Sequence, residues 1–377
     1  MRIGVPKEIK IHEYRVGLTT ASVRELVTHG HRVMVQAGAG LGAGMADAEY
    51  RAAGATIVAD AVQVFADSDM IMKVKEPQPQ ECALLRNGQI LFTYLHLAPD
   101  PDQANALMKS GCTAIAYETV IDAQGRLPLL APMSEVAGRM SVHAGAHYLE
   151  KIHGGRGVLL SGVPGVAPGK VVILGGGTVG ANAASVAVGM GADVAVLDKS
   201  LPRLAALDQQ FQWRARMIYS TCEAIEHYVL NADLVIGGVL VPGATAPKLV
   251  TRDMVARMKK GSVIVDVAID QGGCVETAHP TTHSDPIYTV DGVIHYCVAN
   301  MPGAVARTST FALNNATLPY ALALADKGWQ RALAEDELFR QGLNIAEGKV
   351  THASVAAALG HAFTTPETLL NETRRKV

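Results

Sequence analysis

The sequence predicts an α/β protein of two doubly wound domains, one inserted into the other so that the outer domain is made from both chain ends. Three observations carry this expectation. A glycine-punctuated strand–helix–strand unit occupies Lys170 to Asp198, strand and helix patterns alternate on either side of it, and 377 residues suffice for two cores of ordinary size.

The chain begins with a short apolar strand, Arg2 to Val5, followed by an amphipathic helix over Ser22 to His29 and a second strand over His31 to Gln36. Gly38, Gly40 and Ala43 then mimic a dinucleotide turn, and Asp60 stands at the matching distance. Gly44-Met45-Ala46-Asp47 follows instead of a helix start, so the segment reads as a structural loop before a short helix around Ala48 to Ala53. Three later apolar runs end in polar residues: Met70 to Val74 before Lys75-Glu76-Pro77, Gln89 to Leu95 before His96, and Thr113 to Tyr117 before Glu118. Ligands of open parallel sheets sit beyond the carboxyl ends of strands, which makes these endings candidates. By position alone the simpler reading prevails, a solvated Lys75 and a His96 that satisfies its loop.

A long helix is expected over Ser134 to His153, carrying the chain between domains, with a glycine- and proline-rich loop from Gly154 to Gly169. His143 and His147 stand four apart on it, but residue 144 is alanine, and the pair reads as packed on a helix face rather than holding a metal. The segment KVVILGGGTVGANAASVAVGMGADVAVLD comes next. Its apolar run Val171 to Leu174 meets Gly175, Gly177 and Gly180 in the GxGxxG spacing. The first glycine makes the tight turn, the second admits a pyrophosphate and the third lets helix and strand pack closely. The helix start supplies N–H groups to phosphate. Asp198 ends the second strand, placed to accept from a ribose hydroxyl, and this predicts a Rossmann domain that binds NAD.

Further buried parallel strands are expected at Arg216 to Tyr219, Ala232 to Gly237, Ser262 to Val267 and His295 to Ala299, followed by Ser220, Val239, Leu240, Asp270 and Asn300 along the cofactor edge. Pro280 argues against a metal at His279 and His283. Ala304 to Lys327 and Ala332 to Glu347 read as helices. The domain plan is therefore 1–130 and 304–377 for the outer, substrate domain and 131–303 for the inserted Rossmann domain, with the ligand cleft expected between them.

Composition excludes several classes. Charged residues are 18% and the net charge is −2, so there is no broad electrostatic case for nucleic acid or an anionic membrane. No apolar run reaches the ~18 residues of a membrane span, and Arg2, Lys7, Glu8 and Lys10 interrupt any secretory signal, so a cytoplasmic location is expected. Cys82, Cys112, Cys222, Cys274 and Cys297 are scattered and odd in number, as buried thiols of a reducing compartment would be.

RIGVPKE (2–8), EYRVGLT (13–19), KVKEP (73–77), TYLHLA (93–98), PMSEVAGRMSVHAGAHYLEK (132–151), GVPGVAPGKVVILGGGTVG (162–180), DVAIDQGG (266–273) and YCVANMPGAVARTST (296–310) together resemble alanine dehydrogenase nearly end to end. The NAD-binding component of proton-translocating transhydrogenase is similar in part, but that assembly continues into membrane segments, and no such run occurs here. The resemblance implies reversible oxidative deamination of L-alanine to pyruvate and ammonia with NAD, in a homohexamer. It implies Arg15 and Lys75 as substrate-binding residues and His96 and Asp270 as catalytic ones. Ser134, Thr178, Val179, Asp198, Ser220, Val239, Leu240, Val267, Ala268, Ile269, Asp270, Val298, Ala299, Asn300 and Met301 fall on its cofactor-binding segments.

Two positions depart from the family's common residues: Thr20 replaces proline, and Arg203 replaces lysine close enough to Asp198 to bear on the choice between NAD and its 2′-phosphorylated relative. The implied chemistry suits the residue types. Cations hold a carboxylate, an imidazole shuttles protons, and the cofactor carries the redox step. The competing classes are an oxidoreductase of another amino acid on the same scaffold and a non-catalytic NAD-binding module. A panel of amino acids with NAD separates them.

Overall fold

A computed structural model describes residues 1–239 and 246–374. It divides into two compact units, 1–132 with 305–377 and 133–304. In unit 1 the first six strands are β1 (Arg2–Val5), β2 (Arg32–Gln36), β3 (Thr56–Val58), β4 (Met70–Met72), β5 (Ile90–Thr93) and β6 (Thr113–Ala116). All pair in parallel, in the spatial order β3-β2-β1-β4-β5-β6. Direction reverses between β1 and β4, the switch point where open α/β sheets bind ligands. β4, β5 and β6 are buried along their whole length, the continuous apolar reading of strands covered on both faces.

Unit 2 contains β7 (Lys170–Leu174), β8 (Asp193–Asp198), β9 (Ala215–Tyr219), β10 (Leu234–Gly237), β11 (Val263–Asp266), β12 (Ile287–Val290) and β13 (Val293–Tyr296). Its parallel order β9-β8-β7-β10-β11-β13 repeats the doubly wound plan of unit 1, and β12 closes the edge antiparallel to β13. Leu234, Val235 and Ile236 of the central β10 are fully buried, and each such side chain contributes about 1.5–3 kcal/mol. Helix Ala131–Tyr148 packs on this sheet through small residues. A Cβ at Gly138 would lie 2.2 Å from the Val179 carbonyl, so only glycine lets that helix approach the start of helix Thr178–Gly189.

Several sequence expectations need correction. The long helix ends at Tyr148 rather than His153, and a separate 3-10 turn, Lys151–His153, follows. β9 is an edge strand with Arg216 and Tyr219 exposed, not a buried one, and the last parallel strand is Val293–Tyr296 rather than His295 to Ala299. The helix expected over Ala332 to Glu347 breaks up. It stops at Glu335, Asp336 caps a one-turn helix Glu337–Arg340, and the chain then forms β14 (Leu343–Ala346) and β15 (Lys349–Val350). Glu347 and Gly348 both have positive φ, 52° and 73°, which makes a two-residue hairpin turn of the primed type. β14 pairs antiparallel with β6 and covers the end of the unit 1 sheet.

Candidate active site

The functional candidates of unit 1 lie in the segments that follow β1, β4, β5 and β6. After β1, the buried Glu8 carboxylate crosses the switch point and accepts from Val74 N (2.7 Å), Lys75 N (3.4 Å) and Lys73 Nζ (3.0 Å). Lys73 Nζ also donates to Glu81 (2.7 Å), forming a fully buried acid–lysine–acid triad. Burial pushes the Glu8 carboxyl up while Lys73 pulls it down. The triad fixes the backbone from which Lys75 projects. Lys75 is half-buried, and Thr93 Oγ1 donates to its carbonyl at 2.9 Å, which ties its loop to the end of β5. Burial opposes ionisation of the neighbouring Glu76, but Lys75 and Lys10 hold its carboxyl below the ordinary value.

His96 follows β5 in the left-handed region, with φ 50°. A non-glycine residue stays there only when its surroundings dictate it. Glu118, after β6, does so: its carboxylate accepts from His96 N at 2.6 Å and Leu95 N at 3.1 Å. The Tyr94 ring lies parallel to the imidazole, 5.7 Å between centroids and 6° between planes, and Tyr94 Oη donates to the Leu129 carbonyl at 2.5 Å. The imidazole therefore has a fixed backing, with its side chain 45% exposed.

Arg15 is buried, 2% exposed, and forms a two-pronged pair with Glu13: Nε to Oε1 at 2.7 Å and Nη2 to Oε2 at 2.5 Å. Burial raises the Tyr94 hydroxyl, and the nearby Arg15 charge opposes that rise, which puts guanidinium and phenol in one neighbourhood. The loop bearing Arg15 is pinned by helix Ala306–Lys327: Thr310 Oγ1 accepts from Val16 N (3.4 Å), and Asn314 accepts from Thr19 N (2.7 Å) while donating to the Gly17 carbonyl (3.1 Å). The chain's return after unit 2 thus completes this site.

In unit 2 the expected cofactor positions follow the ends of neighbouring strands. Gly175 turns the chain with φ 96°, and its N–H donates to the Leu197 carbonyl at 2.8 Å. Asp198 accepts from Gly176 N (2.6 Å) and Ser200 N (2.8 Å), one bond to each carboxylate oxygen, which leaves lone pairs for a further donor. Arg203 lies across the same turn, Nε donating to the Gly176 carbonyl at 2.5 Å and Nη2 to that of Gly177 at 3.5 Å. A Cβ at Gly180 would meet the Gly175 carbonyl at 1.8 Å, so protein packing alone demands that glycine. Gly177 differs: its φ is −65°, and an added Cβ would have no atom within 4 Å. Neither conformation nor packing requires glycine there, whereas a phosphate approaching the start of helix Thr178–Gly189 does. No side chain caps that helix start, so Thr178, Val179 and Gly180 offer N–H groups in the way an anion needs. The residues present fit a bound dinucleotide.

Around this cradle, the Ser220 N–H donates to the Asp198 carbonyl at 3.0 Å, and Val239 lies beside the Gly175 turn. Leu240 lies outside the described residues. Beyond β11, Val267, Ala268, Ile269 and Asp270 form a 3-10 turn with Asp270 exposed. The buried Asp266 carboxylate organises it, accepting from Ala268 N (3.1 Å), Cys274 N (2.9 Å) and Val275 N (3.2 Å). Beyond β13, Val298 is buried, Ala299 N donates to Thr281 O (3.3 Å), and Asn300 takes φ 68° with its carbonyl 3.1 Å from His283 Nε2. Met301 starts the 3-10 turn Met301–Val305, and Ser134 is half-buried in the first turn of helix Ala131–Tyr148.

Sequence reasoning noticed Glu118 as a strand ending but gave it no role, and it missed Glu8, Glu13, Lys73, Glu81, Asp266 and His283 as organisers. Glu13 alone left a local trace, an acid two residues before Arg15.

Comparison with known proteins bears on both units. Residues 4–137 match the model of the alanine dehydrogenase/PNT N-terminal domain, and residues 141–353 match that of the C-terminal domain. The chain is 61% identical over 370 residues to an alanine dehydrogenase of Halomonas elongata, covering 98% of this chain and 100% of the relative. A solved structure of L-alanine dehydrogenase superposes with a TM-score of 0.93 at 54% identity, covering 96% of this chain and 99% of the other. A transhydrogenase structure from Sinorhizobium meliloti gives 0.82 at 26% identity, covering 93% and 100%.

Proposed function

This chain belongs to the alanine dehydrogenase/PNT family, and from that premise we propose which of its residues carry out the reaction. The chain is an oxidoreductase that uses NAD for the oxidative deamination of L-alanine to pyruvate and ammonia. End-to-end similarity at 61% identity carries this conclusion.

Arg15 and Lys75 hold the substrate carboxylate. Glu13 sets the plane of the guanidinium and the Glu8 triad sets the base of Lys75, so both cations are oriented before substrate arrives. The Gly175 turn, the start of helix Thr178–Gly189 and Asp198 would hold NAD, which would supply the acceptor for the hydride lost from Cα. The amino acid is thereby oxidised to an imine, and the nitrogen gives up a proton. Water then adds to the imine carbon, and ammonia departs as the C–N bond breaks and the carbonyl forms. His96 takes and returns the protons of these two steps, held in place by Glu118 and Tyr94. Asp270 orients the water. Asp198 selects the cofactor, because its carboxylate accepts from a ribose diol and repels a 2′-phosphate. Arg203 is occupied by the glycine-turn carbonyls, which supports the same preference.

The protein acts as a cytoplasmic homohexamer in this reading, on the strength of the family resemblance. Among the described residues no helix is long and apolar enough to cross a membrane. Light scattering on the purified protein tests the hexamer. The substrate assignment is tested by formation of reduced nicotinamide across a panel of amino acids. L-alanine should give the highest kcat/KM, and preference for a larger amino acid would overturn the assignment.

A further inference from the structure

One cluster of side chains able to ligate a metal in unit 2 has no part in the cofactor site. It lies where helix Ala131–Tyr148 ends. The chain winds tightly here: Leu149 N donates to Gly145 O, Glu150 N to His147 O, and His153 N and Gly155 N both to Glu150 O, each at 3.1 Å. Gly154, with φ 87°, closes the 3-10 turn Lys151–His153. His147, Glu150 and His153, three residues apart, thereby emerge on one side. His147 Nδ1 stands 3.9 Å from Glu150 Oε1, and His153 Nε2 stands 3.9 Å from Glu150 Oε2. All three donor atoms lie within 4.8 Å of one another, and the imidazole centroids are 4.1 Å apart.

These separations exceed hydrogen-bond length, so no hydrogen bond between the three side chains has to be broken for an ion to enter. We propose that His147, Glu150 and His153 bind a divalent ion of the later first transition row, such as Zn2+, and leave a fourth position for water. Two imidazoles and one carboxylate are a donor set that suits zinc, whereas Mg2+ and Ca2+ favour oxygen alone. Bonds of about 2.0–2.2 Å to a tetrahedral ion set neighbouring donors about 3.3–3.6 Å apart. His147 and Glu150 are exposed and His153 is half-exposed, so side-chain rotation suffices to close the gap. The backbone of the turn is already formed. The pattern differs from a HExxH helix pair, because the ligands span a helix end and the turn after it. Bound metal therefore staples the last helical turn to the start of the glycine-rich segment.

The test is titration of the chelator-treated, full-length protein with Co2+, followed by its visible d–d absorption and by elemental analysis for stoichiometry. The parent should bind one ion per chain at this site with the intense bands of tetrahedral coordination. His153→Ala and Glu150→Gln should weaken this binding by about tenfold or more, and His143→Ala, one turn earlier on the same helix, should leave it unchanged. Zn2+ should raise the melting temperature of the parent more than that of His153→Ala. Equal Co2+ spectra and affinities in the parent and His153→Ala, or no binding to the parent, would overturn the proposal.

Discussion

Replacing Gly177 by alanine separates the needs of the cofactor from those of the fold. The new Cβ meets no protein atom within 4 Å, and φ −65° suits alanine. Less unfolded-chain freedom should then leave stability unchanged or raise it by about 0.4–1 kcal/mol. The same methyl stands before the uncapped N–H groups of helix Thr178–Gly189. Displacing one charge-assisted phosphate bond costs about 1.5–3 kcal/mol, or about 10- to 100-fold in NAD affinity. Gly180→Ala is the counterpart: its Cβ falls 1.8 Å from the Gly175 carbonyl, and forcing helix from turn should cost about 3 kcal/mol or more. Calorimetric NAD titration with denaturant unfolding reads both effects. If Gly177→Ala bound NAD like the parent, or lost as much stability as Gly180→Ala, the cradle would be wrongly placed.

The other sites give parallel expectations. Asp198→Ala should narrow the ratio of kcat/KM for NAD over its 2′-phosphorylated form; equal use of both cofactors by the parent would contradict the role of Asp198. Lys75→Ala should weaken pyruvate binding by about 10- to 100-fold with NAD affinity retained, as calorimetry would show. Arg15→Ala should do the same and also destabilise unit 1 by about 3–5 kcal/mol, because it removes one partner of the buried ion pair with Glu13. Burial lowers the His295 pKa below 6.5. The unfolded state therefore binds the proton first: the contribution to stability is complete above pH 6.5 and is lost, at up to about 1.4 kcal/mol per pH unit, as pH falls toward the folded value. His295→Gln keeps an acceptor for Thr277, 2.7 Å away, and should flatten unfolding free energy between pH 7.5 and 5.5, relative to a parent that weakens.

The sequence shows most clearly those features written in short range. The unit from Lys170 to Asp198 resolves as strand, helix and strand because its glycines, small residues and β-branched runs all agree locally. Ala332 to Glu347 misleads because alanine and leucine favour helix, whereas strand pairing with β6 decides its last residues. Glu347-Gly348 was the local sign of that hairpin. Lys75 and His96 were visible as polar residues ending apolar runs, but the groups that hold them were not. Glu8 meets Lys73 across 65 residues, and Glu118 reaches His96 across 22, and such pairings exist only once the sheet order is known. Helical spacing sets His147 four residues from His143 on one face, but it does not show that the chain leaves the helix and brings Glu150 and His153 beside His147.

The assignment of proton transfer to His96 is tested most directly by turnover of His96→Ala with L-alanine and NAD, measured beside calorimetric affinities for NAD and pyruvate. Positioned acid–base catalysis contributes about 10²–10⁴-fold, so turnover should fall by at least about a hundredfold while NAD affinity stays within error of the parent. Near-normal turnover in His96→Ala would contradict the account and leave the imidazole as a loop residue stacked on Tyr94.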